Sequence, residues 1–78
     1  MKIHYTQHAI ESLKLRNIDK KLVDHCLQKP DISLPARKNK KAYLKDMGNN
    51  YLKVIAVEEN DMLIVITAYR FEKDRVKF

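Results

Sequence analysis

The longest hydrophobic run of the chain, from Met62 to Ile66, is followed by the more polar segment Thr67-Ala68-Tyr69-Arg70. A short apolar run that is rich in β-branched residues predicts a strand buried on both faces. It is far shorter than the roughly 20 apolar residues that cross a bilayer. The segment from residue 62 to residue 70 therefore predicts the central strand of a small sheet. Its polar second half is the first indication of a functional site.

Two amphipathic segments near the N-terminus predict helices. Thr6 is the expected N-cap of a helix over residues 7–16, and Asp19 is the expected N-cap of a helix over residues 20–29. Pro30 ends the second helix because proline disfavours helical geometry in the residue before it. The expected buried stripes are Ala9, Ile10 and Leu13 in the first helix, and Leu22, Val23, Cys26 and Leu27 in the second.

The rest of the chain predicts strands. Residues 31–36 favour an edge strand because they contain Pro35, and strands over residues 41–47 and 51–59 follow. Residues 2–5 fit either a short strand or an extended lead-in, and residues 71–78 fit either a last strand or a docked tail. The sequence predicts one α+β domain over residues 1–78, with two N-terminal helices on one face of a three- to four-stranded antiparallel sheet.

The hairpin between the last two predicted strands has a testable register. A two-residue turn at Asn60-Asp61 makes paired positions sum to 121. One face then carries Leu52, Val54, Ala56, Leu63, Val65, Thr67 and Tyr69, and the other carries Tyr51, Lys53, Ile55, Val57, Ile64, Ile66, Ala68 and Arg70. A change of one residue in the loop would change this pairing. Lys53, a lysine in mid-strand among apolar neighbours, is typical of a snorkelling or functional side chain.

Composition narrows the function. The chain has 16 Lys and Arg against 10 Asp and Glu, a net charge of +6 and an isoelectric point of about 9.6. Such a charge suggests a polyanionic partner. One cysteine excludes an internal disulfide framework and fits a reducing compartment, so a cytoplasmic location without membrane attachment is expected. Three scattered histidines provide no ligand spacing, so neither a metal nor another cofactor is expected.

A basic run strengthens the case for nucleic acid. The run contains no acidic residue and comprises Arg37, Lys38, Lys40, Lys41 and Lys45. Dense basic runs of this kind recur in nucleic-acid-binding patches. The alternative is a solvated loop and an edge strand that lysine keeps soluble.

The order of several short motifs resembles a known family. The motifs are His8-Ala9, Arg16-Asn17-Ile18-Asp19, Pro30-Asp31, Arg37, residues 51–54 and Ile66-Thr67-Ala68-Tyr69-Arg70. This order is similar to that of DUF4258, a bacterial and archaeal domain family of unknown function that is grouped with the RelE/ParE-like toxin superfamily. The resemblance covers most of the chain. The chain departs from the family at Ser12 or Leu13, where arginine is frequent, and in its lysine-rich loop.

The resemblance implies two helices on a curved antiparallel sheet and, in the ribonuclease members of the superfamily, RNA cleavage without a metal. On matching positions it points to a site made of His8, Arg16, Arg37, Thr67 and Tyr69. The residue patterns described above add Lys53, Tyr51 and Arg70. We therefore expect catalytic roles for His8, Arg16, Lys53, Thr67 and Tyr69, and nucleic-acid binding by Tyr51, Arg70 and the basic run.

Cleavage of RNA by its own 2′-hydroxyl explains these residue types. The reaction needs a base for that hydroxyl, an acid for the 5′-oxygen and cations for the phosphorane. His8 is the best acid–base candidate because histidine titrates nearest to neutral pH. The other expected groups are the cations Arg16, Arg37 and Lys53, the phosphate-binding hydroxyls Thr67 and Tyr69, and the base-stacking ring of Tyr51.

Each candidate also has a structural alternative. His8 fits an exposed residue of a capped helix, and Arg16 fits a solvated helix end, where a cation is favourable to the dipole. Thr67 and Tyr69 fit ordinary strand residues. Two functions therefore stay open: an RNA-cleaving toxin, ribosome-associated or free, that an acidic antitoxin masks, and a non-catalytic module that binds nucleic acid or protein. A homodimer is also left open.

Overall fold

The computed structural model describes residues 2–73, which form two helices and five strands. In chain order the elements are β1 (Lys2–Tyr5), α1 (Gln7–Arg16), α2 (Lys20–Gln28), β2 (Ile32–Pro35), β3 (Lys40–Asp46), β4 (Asn50–Glu59) and β5 (Met62–Glu72). The strands form one mixed sheet in the order β1-β5-β4-β3-β2. The α+β class and the two N-terminal helices are confirmed. Most of the segment expected as a last strand or docked tail, residues 74–78, lies outside the described residues.

The expected three- to four-stranded antiparallel sheet is wrong in both strand number and direction. The sheet has five strands, and β1 pairs in parallel with β5, from Lys2 opposite Met62 to Tyr5 opposite Val65. The backbone then turns into α1, and the Thr6 amide donates to the Val65 carbonyl at 3.4 Å. A four-residue strand is too short for its own alternation to indicate this long-range pairing.

Local side-chain caps begin both helices where the sequence predicts them. The Thr6 hydroxyl accepts from the Ala9 amide at 3.0 Å, and the Asp19 carboxylate accepts from the Lys21 amide at 2.9 Å. These caps satisfy backbone donors that the first helical turn leaves without partners. Asn17 ends α1 in the left-handed conformation, with φ of 54°. The second helix ends at Gln28, one residue before the predicted end.

Both helices pack on the same face of the sheet. The core on this helix-covered face consists of Tyr5, Ala9, Leu13, Ile18, Val23, Cys26, Leu27, Tyr43, Leu52, Val54, Ala56, Leu63, Val65 and Ala68. Leu22, expected in the stripe of α2, is 39% exposed and is a correction to that prediction. The paired side chains Val54 and Ala68 are fully buried beneath the helices.

A β-bulge changes the predicted register halfway along the hairpin. Pairs sum to 121 from Glu59–Met62 to Ala56–Val65, as predicted, but from Ile55–Thr67 onward they sum to 122. The extra residue is Ile66, and a bulge of this kind reverses the face of every residue beyond it. The predicted faces are therefore wrong beyond Val65.

The sheet face opposite the helices, hereafter the open face, contains both aliphatic and functional side chains. Strand alternation places here the residues Ile32, Leu34, Lys40, Ala42, Leu44, Tyr51, Lys53, Ile55, Val57, Ile64, Thr67, Tyr69 and Phe71, together with His4 of β1. Leu44 is only 2% exposed on this face, beneath its neighbours. No helix among residues 2–73 has the length and hydrophobicity needed to span a membrane.

Candidate nucleic-acid interface

Four of the five predicted catalytic residues converge at one end of the open face. The bulge pairs Lys53 directly with Tyr69 and brings Thr67 opposite Ile55. Arg16 reaches the same place from the last turn of α1. We call Arg16, Lys53, Thr67 and Tyr69 the cationic cluster. The uncorrected register would have placed the two hydroxyl residues on the opposite face from Lys53.

Arg16 is held against the edge of β5. Its Nη1 donates to Thr67 Oγ1 at 3.1 Å and to the Ala68 carbonyl at 3.0 Å. That carbonyl accepts from a side chain because β1 pairs with β5 only as far as Val65. A guanidinium has five N–H donors, and no hydrogen bond within residues 2–73 occupies Nη2 or Nε of Arg16, so these donors can bind a ligand. Its Cζ lies 5.9 Å from the centre of the Tyr69 ring.

Lys53 is a half-buried residue whose ammonium lies beside two aromatic rings. Its Nζ lies 5.7 Å from the centre of the Tyr69 ring and 4.9 Å from that of Phe71. Within residues 2–73, no hydrogen bond or ion pair neutralises it. Cation–π contacts of this kind orient a lysine without neutralising its charge. Lys53 is thus available to an anion.

A second cation–aromatic contact lies next to the cluster. Tyr51 is paired across the strands with Phe71. Lys73 Nζ lies 5.4 Å from the centre of the Tyr51 ring. Lys73 also forms an ion pair of 2.7 Å with Asp46. This ion pair, helped by the Gly48 amide, lowers the pKa of the Asp46 carboxyl. The aromatic rings and the cations therefore alternate along this end of the sheet.

Arg70 has a different environment from the predicted one. It was expected beside Lys53 and Tyr51, but it is paired with Leu52 on the helix-covered face. Its Nη1 donates to the carbonyl of Arg16 at 2.8 Å, and its Nη2 donates to that of Asn17 at 3.2 Å. These contacts satisfy carbonyl groups at the C-terminus of α1, where a cation is also favourable to the helix dipole.

The basic run does not join the cationic cluster. Arg37 and Lys38 lie in the exposed turn between β2 and β3, whereas Lys40 opens β3 opposite Val57. Lys40 is four residues, about 14 Å, from Leu44, which is the partner of Lys53. Lys41 follows Lys40 as an exposed residue. Lys45 is engaged elsewhere, since it donates to the Lys29 carbonyl at 3.1 Å and lies 3.8 Å from an Asp31 oxygen.

The sequence matches a domain of unknown function, DUF4258, over residues 5–70. The chain belongs to the DUF4258 family. No match was found among curated proteins or among solved structures. The matched range contains all four residues of the cationic cluster and ends one residue before Phe71.

His8, the predicted acid–base residue, lies apart from the cluster in this DUF4258 domain. His8 is exposed in the first turn of α1, eight residues and therefore about 12 Å along the helix axis from Arg16. Among residues 2–73, no hydrogen bond or ion pair links it to the cluster. His4, for which the sequence pattern predicts no role, lies on the open face because β1 pairs with β5. Only the pairing of β1 with β5 shows which face of the sheet His4 occupies.

Two other titratable side chains of this DUF4258 domain, Cys26 and Tyr5, belong to the buried core. Cys26 Sγ lies 3.4 Å from the Tyr43 carbonyl, and burial raises the pKa of this thiol to about 11. Burial and the hydrogen bond to Asp24 also raise the pKa of Tyr5. Within residues 2–73, no group of three His, Cys, Asp or Glu side chains is arranged to hold a metal ion.

Proposed function

We propose that this domain binds RNA at the cationic cluster and cleaves it without a metal, as the toxin of a toxin–antitoxin pair with a RelE/ParE-like fold. One observation carries the proposal: an un-neutralised lysine, an arginine with spare donors, a threonine and a tyrosine meet on an open sheet face. A phosphate is the ligand whose charge and hydrogen-bonding capacity suit these groups.

In this proposal the scissile phosphate lies between Arg16 and Lys53. The free Nη2 and Nε donors of Arg16 bind its oxygens, and the Lys53 ammonium leaves the aromatic rings to balance the charge that develops on the phosphorane. Cations at a partly buried site stabilise a charged transition state more than they would in water. Thr67, which already holds Arg16, sets the position of the guanidinium.

Cleavage needs a base that takes the proton of the 2′-hydroxyl and an acid that gives a proton to the leaving 5′-oxygen. Tyr69 and His8 are the two candidates for these roles in this proposal. Tyr69 carries the phenolic hydroxyl of the cluster, and in the unbound chain Arg16 Cζ and Lys53 Nζ both lie within 6 Å of its ring centre. His8 acts only if bound RNA extends from the cluster to the start of α1, because a general acid or base must reach the atom that it protonates. The two roles make different predictions for the variants Tyr69→Phe and His8→Ala.

The test is RNA cleavage by the purified chain, with and without EDTA and with and without ribosomes. We expect cleavage to survive EDTA and to fall at least about tenfold in Lys53→Gln. It should stay unchanged in Lys21→Gln, the matched control, which removes the charge of an exposed lysine on α2. A greater loss in Tyr69→Phe than in His8→Ala would assign proton transfer to the cluster. Absence of cleavage in every condition, or cleavage that EDTA abolishes, would contradict the ribonuclease proposal.

A second candidate is a non-catalytic module of the same fold that binds nucleic acid or protein. The observation that favours it is the aliphatic centre of the open face, where half-buried Ile55, Val57 and Ile64 add surface that phosphate chemistry does not need. RNA binding that is sensitive to salt but without cleavage, in the presence of ribosomes, would favour this candidate.

The proposed partners follow from charge. An acidic antitoxin segment would complement the net charge of +6 and mask the cationic cluster. A homodimer through the open faces would bring Lys53 and Lys40 of both copies together, so like charges oppose that arrangement. The proposal also assumes a cytoplasmic location, where RNA is available.

A further inference from the structure

The described aromatic side chains divide into two groups. Tyr5 and Tyr43 belong to the core on the helix-covered face. The other three, Tyr51, Tyr69 and Phe71, lie together at one end of the open face on the paired strands β4 and β5. Each is half-buried, so part of each residue reaches solvent. We call these three residues the aromatic platform.

The geometry points to a ligand for this platform. We propose that the aromatic platform binds unpaired bases of single-stranded RNA by stacking, while the cationic cluster holds the adjoining phosphates. The inference rests on the proposed function and adds the class of RNA to it. Aromatic residues on a sheet are a general means of binding splayed bases, because every base has a π-face.

The spacing of the platform favours single strands over duplexes. Tyr69 and Phe71 are two residues apart on one strand, about 6.8 Å along β5. This distance is about twice the 3.4 Å that separates stacked neighbouring nucleotides along one strand of a DNA duplex. Two adjacent bases can therefore occupy the two rings only when they are unstacked from each other. In a duplex the bases are paired and stacked on each other, so the flat faces of the bases along its length are not accessible to aromatic side chains.

Lys53 connects the platform with the phosphate site. In the unbound chain its ammonium lies between the rings of Tyr69 and Phe71. Its long, flexible side chain allows the ammonium to move from the rings to a phosphate when a base takes its place. Base stacking then replaces the cation–π contacts, and the ammonium gains an anionic partner. Arg16, fixed by Thr67 on the far side of Tyr69, marks the other end of this short site.

The test measures binding rather than cleavage. A fluorescent oligonucleotide of about eight nucleotides, with 2′-O-methyl groups that block cleavage, is titrated by anisotropy at about 50 mM salt. Three unlabelled competitors of equal length are the single strand, its duplex, and an abasic strand that keeps the phosphates. We expect the single strand to compete at least about tenfold better than either of the others.

A second set of binding measurements uses side-chain variants of the platform. Tyr69→Leu and Phe71→Leu should each weaken single-strand binding about 5- to 100-fold, and Phe71→Tyr should restore what Phe71→Leu loses. Leu15→Ala, a loss of exposed apolar surface on α1, is the matched control. Circular dichroism of each variant verifies that the fold is retained.

The outcomes separate this inference from the function on which it rests. Equal competition by the abasic strand and the single strand, or full affinity in both leucine variants, would overturn the stacking inference and leave the phosphate site intact. Failure of all three competitors to bind would contradict the proposed function as well. Binding of an acidic peptide that is lost in the leucine variants, without RNA binding, would overturn both in favour of a protein-binding face.

Discussion

Removing the Arg70 guanidinium should weaken the attachment of α1 to the sheet. Arg70 donates to the carbonyls of Arg16 and Asn17, at 2.8 and 3.2 Å. Hydrogen bonds that involve a charged group contribute about 1.5–3 kcal/mol each, but Arg70 is exposed and solvent reduces this value. We therefore expect Arg70→Met to lower the free energy of unfolding by about 1.5 kcal/mol, which corresponds to a fall in Tm of about 6–12 °C.

The assay is urea unfolding followed by circular dichroism. Arg70→Lys tests the geometry, because an ammonium cannot reproduce the two-nitrogen fork and should recover less than half of the loss. Lys21→Met is the control, since it removes an exposed positive charge from α2. RNA affinity of Arg70→Met, measured where the variant is folded, should fall less than that of Lys53→Gln, because Arg70 lies on the helix-covered face.

Two results would refute this reasoning. A loss below about 0.5 kcal/mol in Arg70→Met would mean that the two bonds contribute no more than an ordinary surface residue. A loss of RNA affinity equal to that of Lys53→Gln, at unchanged stability, would mean that Arg70 contacts nucleic acid, as its position in the sequence first suggested.

Three further predictions concern the core and the site. Burial raises the pKa of the Cys26 thiol in the folded chain to about 11. As pH rises, the unfolded chain therefore loses the thiol proton at lower pH than the folded chain does, and the free energy of unfolding falls. Between about pH 7.5 and about pH 9.5, urea unfolding should show a loss of about 1 kcal/mol that is absent in Cys26→Ala; an identical pH dependence of the two proteins would contradict this. Leu44→Ala should cost about 3 kcal/mol by the same assay, whereas a cost below about 1 kcal/mol would show that the open face has no buried layer. Lys53→Gln should reduce the salt dependence of RNA binding by about one counterion, and Lys21→Gln should leave it unchanged; equal slopes for all three proteins would exclude Lys53 from phosphate contact.

The elements that sequence reasoning located correctly are those with local causes. Thr6 and Asp19 cap the helices with hydrogen bonds to amides two or three residues away, so the sequence around each cap is sufficient to predict it. The tight turn at Asn60-Asp61 is equally local, since both residues have positive φ, of 50° and 61°. The pairing that starts at this turn is correct for the same reason.

The errors have non-local causes. The β-bulge at Ile66 allows Val65 and Ala68 both to face the helices, and only the packed core makes that arrangement favourable. The parallel partner of β5 is a four-residue strand some 60 positions away, of which the local sequence gives no sign. His4 and the membership of Phe71 in the aromatic platform were missed because each depends on one of these two features.

The candidate site follows the same division. Residue chemistry and the family resemblance were enough to single out Arg16, Lys53, Thr67 and Tyr69, which the structure brings together. The nucleic-acid-binding role expected of the basic run stays a separate prediction, because the turn that contains Arg37 lies near the other end of the sheet. A cation becomes a candidate for binding when some of its donors are left unoccupied by anions and carbonyls, and that property is visible only in three dimensions.

Chemical-shift mapping is the measurement that tests the location of the RNA site most directly. The isotope-labelled chain would be titrated with a short single-stranded RNA carrying 2′-O-methyl groups, and the shift of each backbone amide recorded. The proposed RNA site predicts that the largest shifts fall on Lys53, Thr67, Tyr69 and Phe71, with smaller shifts in the turn at Arg37 and Lys38. Shifts confined to that turn, with the amides of the cationic cluster unmoved, would contradict it.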